Sequence, residues 1–198
     1  VTQSREPQSS TEIEAATVAG AERSRGAIEL SPYDPAWPDH YRAVADRARA
    51  ALGPRLMAIR HAGSTSVPGL SAKPIIDVVA TVADSADEPG YAADLIAAGF
   101  QHVIREPEWF EHRMFKGAAP TVNLHVFSAG CPEVDRMLLF RDWLRANSAD
   151  RTLYQSVKEQ LAARDWAFVQ NYADAKSDVV AEIMKRAEAW AAAGRPVS

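Results

Sequence analysis

Residues 74–82, PIIDVVATV, confine the fold more than any other stretch. The segment is apolar almost throughout, which predicts a strand covered on both faces and therefore central in a sheet. One carboxylate, Asp77, interrupts it. A buried, unpaired carboxylate is costly, so Asp77 requires a partner: a metal ion, a lysine or hydrogen-bond donors.

The segment ahead of it, HAGSTSVPGLSAK, begins at His61 and ends at Lys73. A strand over 57–62 runs into Gly63-Ser64, then Thr65 and Ser66, then a Pro68-Gly69 pair that favours a type II turn. Small residues let backbone N–H groups approach an anion, and the hydroxyls add donors. Lys73 supplies a cation to the same phosphate. The loop is no P-loop, because no Gly-Lys-Ser/Thr ending leads into a helix, and no G-x-S-x-G nucleophile elbow is present. A third element is Thr121-Val-Asn-Leu-His-Val-Phe127. Alternation sets Thr121, Asn123 and His125 on one face, which either lines a cleft with Asp77 or meets solvent.

The remaining pattern is sheet first and helices last. A short strand at 28–30 precedes a helix in which Trp37, Tyr41, Val44, Ala48 and Leu52 fall near helical spacing, stopped by Gly53-Pro54. A helix at 92–98 ends at Gly99, and strands follow at 100–104, 109–116 and 121–127. After Pro132 the pattern is helical over 134–146, 151–163 and 168–193. This order predicts an α+β domain whose C-terminal helices pack on the sheet and help close its cleft. Tyr154 and Lys158 share a helix face, as do Tyr172 and Lys176, with a break expected near Trp166. Arg141 and Arg145 form a similar pair, so the helical layer can bring Lys158, Lys176 and Arg141 over the cleft. Arg113, on the expected 109–116 strand, completes the candidate phosphate ligands.

With 22 Lys+Arg against 26 Asp+Glu, the net charge is −4, which argues against an extended nucleic-acid surface but leaves room for a local cationic pocket. Cys131 is the single cysteine, which excludes an intramolecular disulfide or a cysteine zinc cluster and is compatible with the cytoplasm. No apolar run approaches the roughly 20 residues that span a bilayer. Residues 1–26 carry neither an aromatic nor the apolar core of a signal peptide and are expected to be a flexible extension, leaving 27–198 as one domain.

The motifs YDPAWP, HAGSTSVPGLSAKPIIDV, NLHVF, LLFRDWLRANSADRTLYQSVKEQLA and YADAKSDVVAEIMKRA, in this order, resemble the GrpB-like family of nucleotidyltransferase-fold proteins. Some members of that family resemble the extra C-terminal domain of bacterial dephospho-CoA kinases. The resemblance implies a mixed sheet with helices on one side and a C-terminal helical layer. The fold's signature is Gly-Ser, about a dozen residues, then two carboxylates separated by one residue, with a third on a neighbouring strand. Gly63-Ser64 and Asp77 match, with 12 residues between Ser64 and Asp77. Val79 stands at the second carboxylate position, and Asn123 or His125 at the third.

Two-metal transfer needs several carboxylates to hold ions roughly 3.5–4 Å apart. A single Mg²⁺ can instead be held by Asp77, waters and substrate phosphates, or Asp77 can act as a base with His125 as ligand, acid or donor. The expected function is a divergent transferase that binds a nucleotide or other phosphorylated metabolite. His61, Gly63, Ser64, Thr65, Ser66 and Lys73 stand at its phosphate. The alternative is a non-catalytic module binding a nucleotide or CoA precursor.

Overall fold

A computed structural model describes residues 8–21, 28–166 and 168–194. Five strands form one sheet in the order β1-β2-β5-β4-β3: β1 (Ala58–Ala62), β2 (Ile76–Val82), β3 (Gln101–Glu106), β4 (His112–Ala118) and β5 (Thr121–Ser128). Only β2 and β5 run parallel. The apolar β2 is flanked on both sides, as its composition demands.

Seven helices are described: α1 (Ser10–Ala15), α2 (Trp37–Leu52), α3 (Ala92–Ala97), α4 (Pro132–Ala146), α5 (Ser148–Ala162), α6 (Val169–Asp174) and α7 (Ser177–Ala192). Helix α2 starts with a proline in its first turn, where no intrahelical N–H is needed, and stops at Gly53, whose φ is 54°. Its buried face, Trp37, Val44, Ala48 and Leu52, packs with α3 on one side of the sheet against Val78, Phe115 and Leu124. On the other side Val79 and Phe127 meet Cys131 and Val134 at the start of α4. Further along, Val67 and Leu70 of the Gly63–Lys73 loop pack against Leu144, Tyr154 and Ile183 of α4, α5 and α7. The C-terminal helices therefore rest on the loop as much as on the sheet. No described helix is long and apolar enough to cross a membrane.

Several local expectations change in three dimensions. Residues 28–30 form no strand; Ser31 instead makes an isolated bridge with Ala72, tying the chain to the loop. The strand expected from 109 begins at His112, because Phe110 and Glu111 adopt positive φ in a preceding turn. The helix expected over 168–193 divides into α6 and α7, with Lys176 at the N-cap of α7. The break near Trp166 is present, since α5 ends at Ala162.

The largest change concerns the segment expected to be a flexible extension. Within residues 8–21, Ser10–Ala15 form α1, capped by a reciprocal Ser9–Glu12 pair. Ile13 is fully buried, and Thr17 bridges Ile104 on β3. The backbone bonds Val18 N to Val103 O at 2.9 Å and Arg105 N to Ala16 O at 2.9 Å supply order that composition alone does not reveal. Residues 1–7 and 22–27 lie outside the described residues.

One carboxylate ties the helical layer together. Asp150 accepts from Trp143 Nε1 of α4 at 2.6 Å and from Arg186 of α7 at 2.8 and 2.9 Å. Asp150→Ala removes all three bonds and leaves the Trp143 donor half-buried, with an expected loss of about 1–3 kcal/mol in a urea titration. Asp150→Asn keeps an acceptor for Trp143 and should lose less.

Candidate functional site

The loop and β2 meet at Gly63. A methyl group there would stand 2.2 Å from Asp77 Oδ2 and 2.9 Å from Asp77 Cβ, and the Gly63 φ is +66°. Only glycine satisfies both the backbone angle and the contact. The following residues, Ser64–Ser66, make a single 3₁₀ turn, with the Ser66 hydroxyl donating to Gly63 O at 2.5 Å.

Cross-strand register assembles the floor. Asp77 of β2 pairs with Asn123 of β5, and Asn123 pairs with Lys116 of β4, so the three stand in one row. Asn123 Nδ2 donates to Asp77 Oδ1 at 2.9 Å, and His125 Nε2 lies 3.8 Å from the same oxygen. Burial pushes the Asp77 carboxyl up, but the His125 and Asn123 donors and the Lys73 charge outweigh it, leaving the carboxyl below its ordinary value. His125 is itself engaged from behind. Its Nδ1 lies 3.0 Å from His112 Nε2, and His112 Nδ1 donates to Glu106 Oε2 at 2.7 Å.

Above this floor is a cavity of about 520 Å³. Lysines from four separate elements line it: Lys73 of the loop, Lys116 of β4, Lys158 of α5 and Lys176 at the head of α7. Lys158 is 2% exposed; its ammonium donates to Ser64 Oγ at 3.1 Å and to Ser71 O, and lies 5.1 Å from the Tyr154 ring centre. Lys176 and Lys73 both approach the Tyr172 ring, at 4.3 and 5.7 Å. Burial, aided by the Lys176 and Lys73 charges, lowers the Lys158 amine to about 7. Burial and Lys73 lower Lys176 to about 8, and burial also lowers Lys73. Burial raises the Tyr154 hydroxyl and brings that of Tyr172 up to about 12.

The cavity thus brings together Gly63, Ser64, Thr65, Lys73, Asp77 and Asn123, and with them His125, Tyr154, Lys158, Tyr172 and Lys176. Four candidates from the sequence stand otherwise. His61 faces the opposite side of the sheet, stacked on Tyr41 at 4.7 Å, and burial lowers it to about 4. Its Nε2 lies 3.1 Å from Thr65 Oγ1, so it braces the turn from behind. Ser66 turns its hydroxyl back to Gly63, and Arg145 holds its carbonyl at 2.8 Å. Arg113 also points to the far face, where Glu88 and Glu111 bind it. Arg141 reaches the cavity wall, but its guanidinium binds Asp142 at 2.7 and 3.0 Å and His61 O at 2.9 Å, tying α4 to β1. Lys116 and the His112–Glu106 pair escaped the sequence reading. Alternation on β4 carried the signal for Lys116, since it sets His112, Met114 and Lys116 opposite to Arg113.

This architecture belongs to the nucleotidyltransferase-like fold class. The Cid1 poly(U) polymerase superposes with a TM-score of 0.50 over 67% of this chain and 44% of its own, at 13% identity, a likeness of fold alone. Within that class, a sequence profile of the GrpB protein family matches residues 27–186, and the chain belongs to that family. A UPF0157 protein of Halalkalibacterium halodurans is 53% identical over 183 residues, covering 92% of this chain and 94% of the relative. The GrpB crystal structure from Enterococcus faecalis matches with a TM-score of 0.72 and 28% identity over 82% of this chain and 99% of that one. A dephospho-CoA kinase of Mycobacterium tuberculosis is 32% identical over 196 residues, covering 85% of this chain but only 48% of the kinase.

The class implies divalent ions held between carboxylates, and the donor set here does not fit them. Val79, at the second carboxylate position, is buried in an apolar cluster with Phe127 and Val134. Asp77 has one oxygen accepting from Asn123 and the other pressed against Gly63. The other carboxylate on the cavity lining, Glu133, is paired with Arg136 at 3.0 Å, and the four amines of the same lining repel a dication.

Two outcomes follow from this geometry. Gly69 has φ +78° with open space where a side chain would project, so Gly69→Ala measures the backbone cost alone, about 1–2 kcal/mol. Gly63→Ala adds the overlap with Asp77 and should cost about 1–3 kcal/mol more in denaturant titrations. The second outcome concerns pH. Unfolded lysine amines hold their protons to about 10.5, whereas Lys158 and Lys176 release theirs near 7 and 8 in the folded chain. Between these values the unfolded state binds more protons, so their contribution makes stability rise with pH. The ligand-free melting temperature should therefore climb from pH 7 to 9, and climb less in Lys158→Met.

Proposed function

We propose that the cavity binds the phosphate groups of a small phosphorylated ligand, a nucleotide or a CoA precursor. The observation that carries this reading is the convergence of Lys73, Lys116, Lys158 and Lys176 on Ser64 and Asp77 in a chain of net charge −4. Buried amines that lower one another's proton affinity gain most from an anion among them. The similarity to dephospho-CoA kinases makes dephospho-CoA a ligand to test beside ATP and UTP.

A second reading, a divergent transferase, rests on the line Glu106–His112–His125–Asp77. Asp77 would accept the proton of a hydroxyl whose oxygen bonds to a phosphorus of the bound nucleotide as that phosphorus loses its phosphoanhydride bond and the rest of the nucleotide leaves, while His112 holds the His125 ring with Nε2 toward Asp77. Glu106 in turn fixes the proton on His112 Nδ1.

Titration calorimetry with dephospho-CoA, ATP and UTP tests the binding reading. One of them should bind, and Lys158→Met or Ser64→Ala should weaken it about tenfold or more. Arg105→Ala, which removes a charge paired with Glu88 outside the cavity, should leave the affinity unchanged. Equal affinities in all four proteins would remove the cavity from consideration. For the transferase reading, Asp77→Asn should abolish turnover of a bound nucleotide with less than about a tenfold change in affinity. A wild-type protein that binds but never turns over leaves the binding module.

A further inference from the structure

The amines in the cavity have different anchors, yet lie close enough for the Lys176 and Lys73 charges to act on Lys158. Lys158 is anchored on the loop side by Ser64, Ser71 and the Tyr154 ring. Lys73 and Lys176 stand together over the Tyr172 ring. Lys116 extends the positive surface along the sheet floor beside Asn123. Against these charges the row on the floor offers one carboxylate, Asp77, which accepts from Asn123 and has His125 Nε2 at 3.8 Å. An isolated phosphate can meet one of these groups of amines; two linked phosphates can meet both.

A separate observation points to a missing acceptor. Tyr172 is 1% exposed, lines the cavity, and its hydroxyl has no hydrogen-bond partner among the described residues. Leaving such a donor unpaired costs about 1–3 kcal/mol, and an oxygen-rich ligand relieves that cost. Lysines here occupy the electrostatic role that divalent ions take in sites with several carboxylates. Val79, in apolar contacts, leaves no place for the second carboxylate those ions require.

We infer that the cavity takes a diphosphate group as its bare, metal-free anion, one phosphate at Ser64 and Lys158 and the other at Lys73, Lys176 and the Tyr172 hydroxyl. This deepens the phosphate-binding reading and rests on it. A Mg²⁺ ion chelated to the diphosphate neutralises the charge that the lysines recognise, so metal opposes binding instead of assisting it.

The test is calorimetry of the full chain with inorganic pyrophosphate and with inorganic phosphate, each in EDTA and in excess Mg²⁺. Pyrophosphate should bind in EDTA, about tenfold or more tighter than phosphate, and should weaken when Mg²⁺ is added. Lys176→Met should lower the pyrophosphate affinity about tenfold and bring it near that of phosphate. Tyr172→Phe separates binding from folding: it should weaken pyrophosphate severalfold while leaving the ligand-free melting temperature unchanged or raised. A lowered melting temperature with unchanged affinity makes Tyr172 a packing residue only and overturns its assignment. Pyrophosphate binding that requires Mg²⁺, or that matches phosphate, overturns the inference while leaving the cavity a phosphate site. No binding of either anion, nor of dephospho-CoA, ATP or UTP, overturns both.

Discussion

The contact between the Gly63 backbone and the Asp77 carboxylate governs the architecture of the cavity. It brings the loop after β1 down onto the next strand in a conformation that only glycine accepts, with no room for a side chain between them. From that point the loop's direction is set. Ser64 faces the cavity, Val67 and Leu70 turn up to receive the C-terminal helices, and Lys73 returns beside Asp77. The loop is at once the floor's rim and the helical layer's foundation, so the charge geometry of the site depends on how these few residues pack.

The helices meet that foundation with apolar side chains but bring cations with them. Leu144, Tyr154 and Ile183 anchor the layer, and Lys158 and Lys176 are carried inward by the same helices. Burying amines near one another opposes folding at neutral pH, and their lowered proton affinities record that opposition. Apolar burial and the Asp150 junction among α4, α5 and α7 offset it.

On this nucleotidyltransferase-like scaffold the cavity combines one floor carboxylate with four lysines. Gly63-Ser64 and Asp77 match the fold's sequence signature, and the turn meets the carboxylate directly. The second carboxylate position of that signature is valine, and Phe127, Cys131 and Val134 pack around it. A carboxylate at position 79 would displace these apolar contacts, with His125 of β5 as its register partner. His125, beside Asp77, is held through His112 and Glu106 instead.

What the sequence by itself determined was local or periodic. The apolar run 74–82 made β2 central, Gly53 and Gly99 stopped their helices, and alternation on β5 set Asn123 and His125 on one face. Gly63-Ser64 and Asp77 were legible as a pair because their separation along the chain is short. The tertiary structure decided everything that depended on partners far apart in the chain. Arg113 and Lys116 are three residues apart on one strand and so face opposite ways; only the pairing of Lys116 with Asn123 shows which faces Asp77. Arg141, four residues before Arg145 on one helix, read as a cation for the cleft, yet Asp142 and a carbonyl 80 residues earlier, that of His61, occupy it. Residues 8–21 are polar enough to read as unstructured, but the open edge of β3 offers backbone partners that no composition can announce. The physical reason is common to all three cases: a side chain's periodicity is written in its own segment, whereas its face and its partner are set by the register of another.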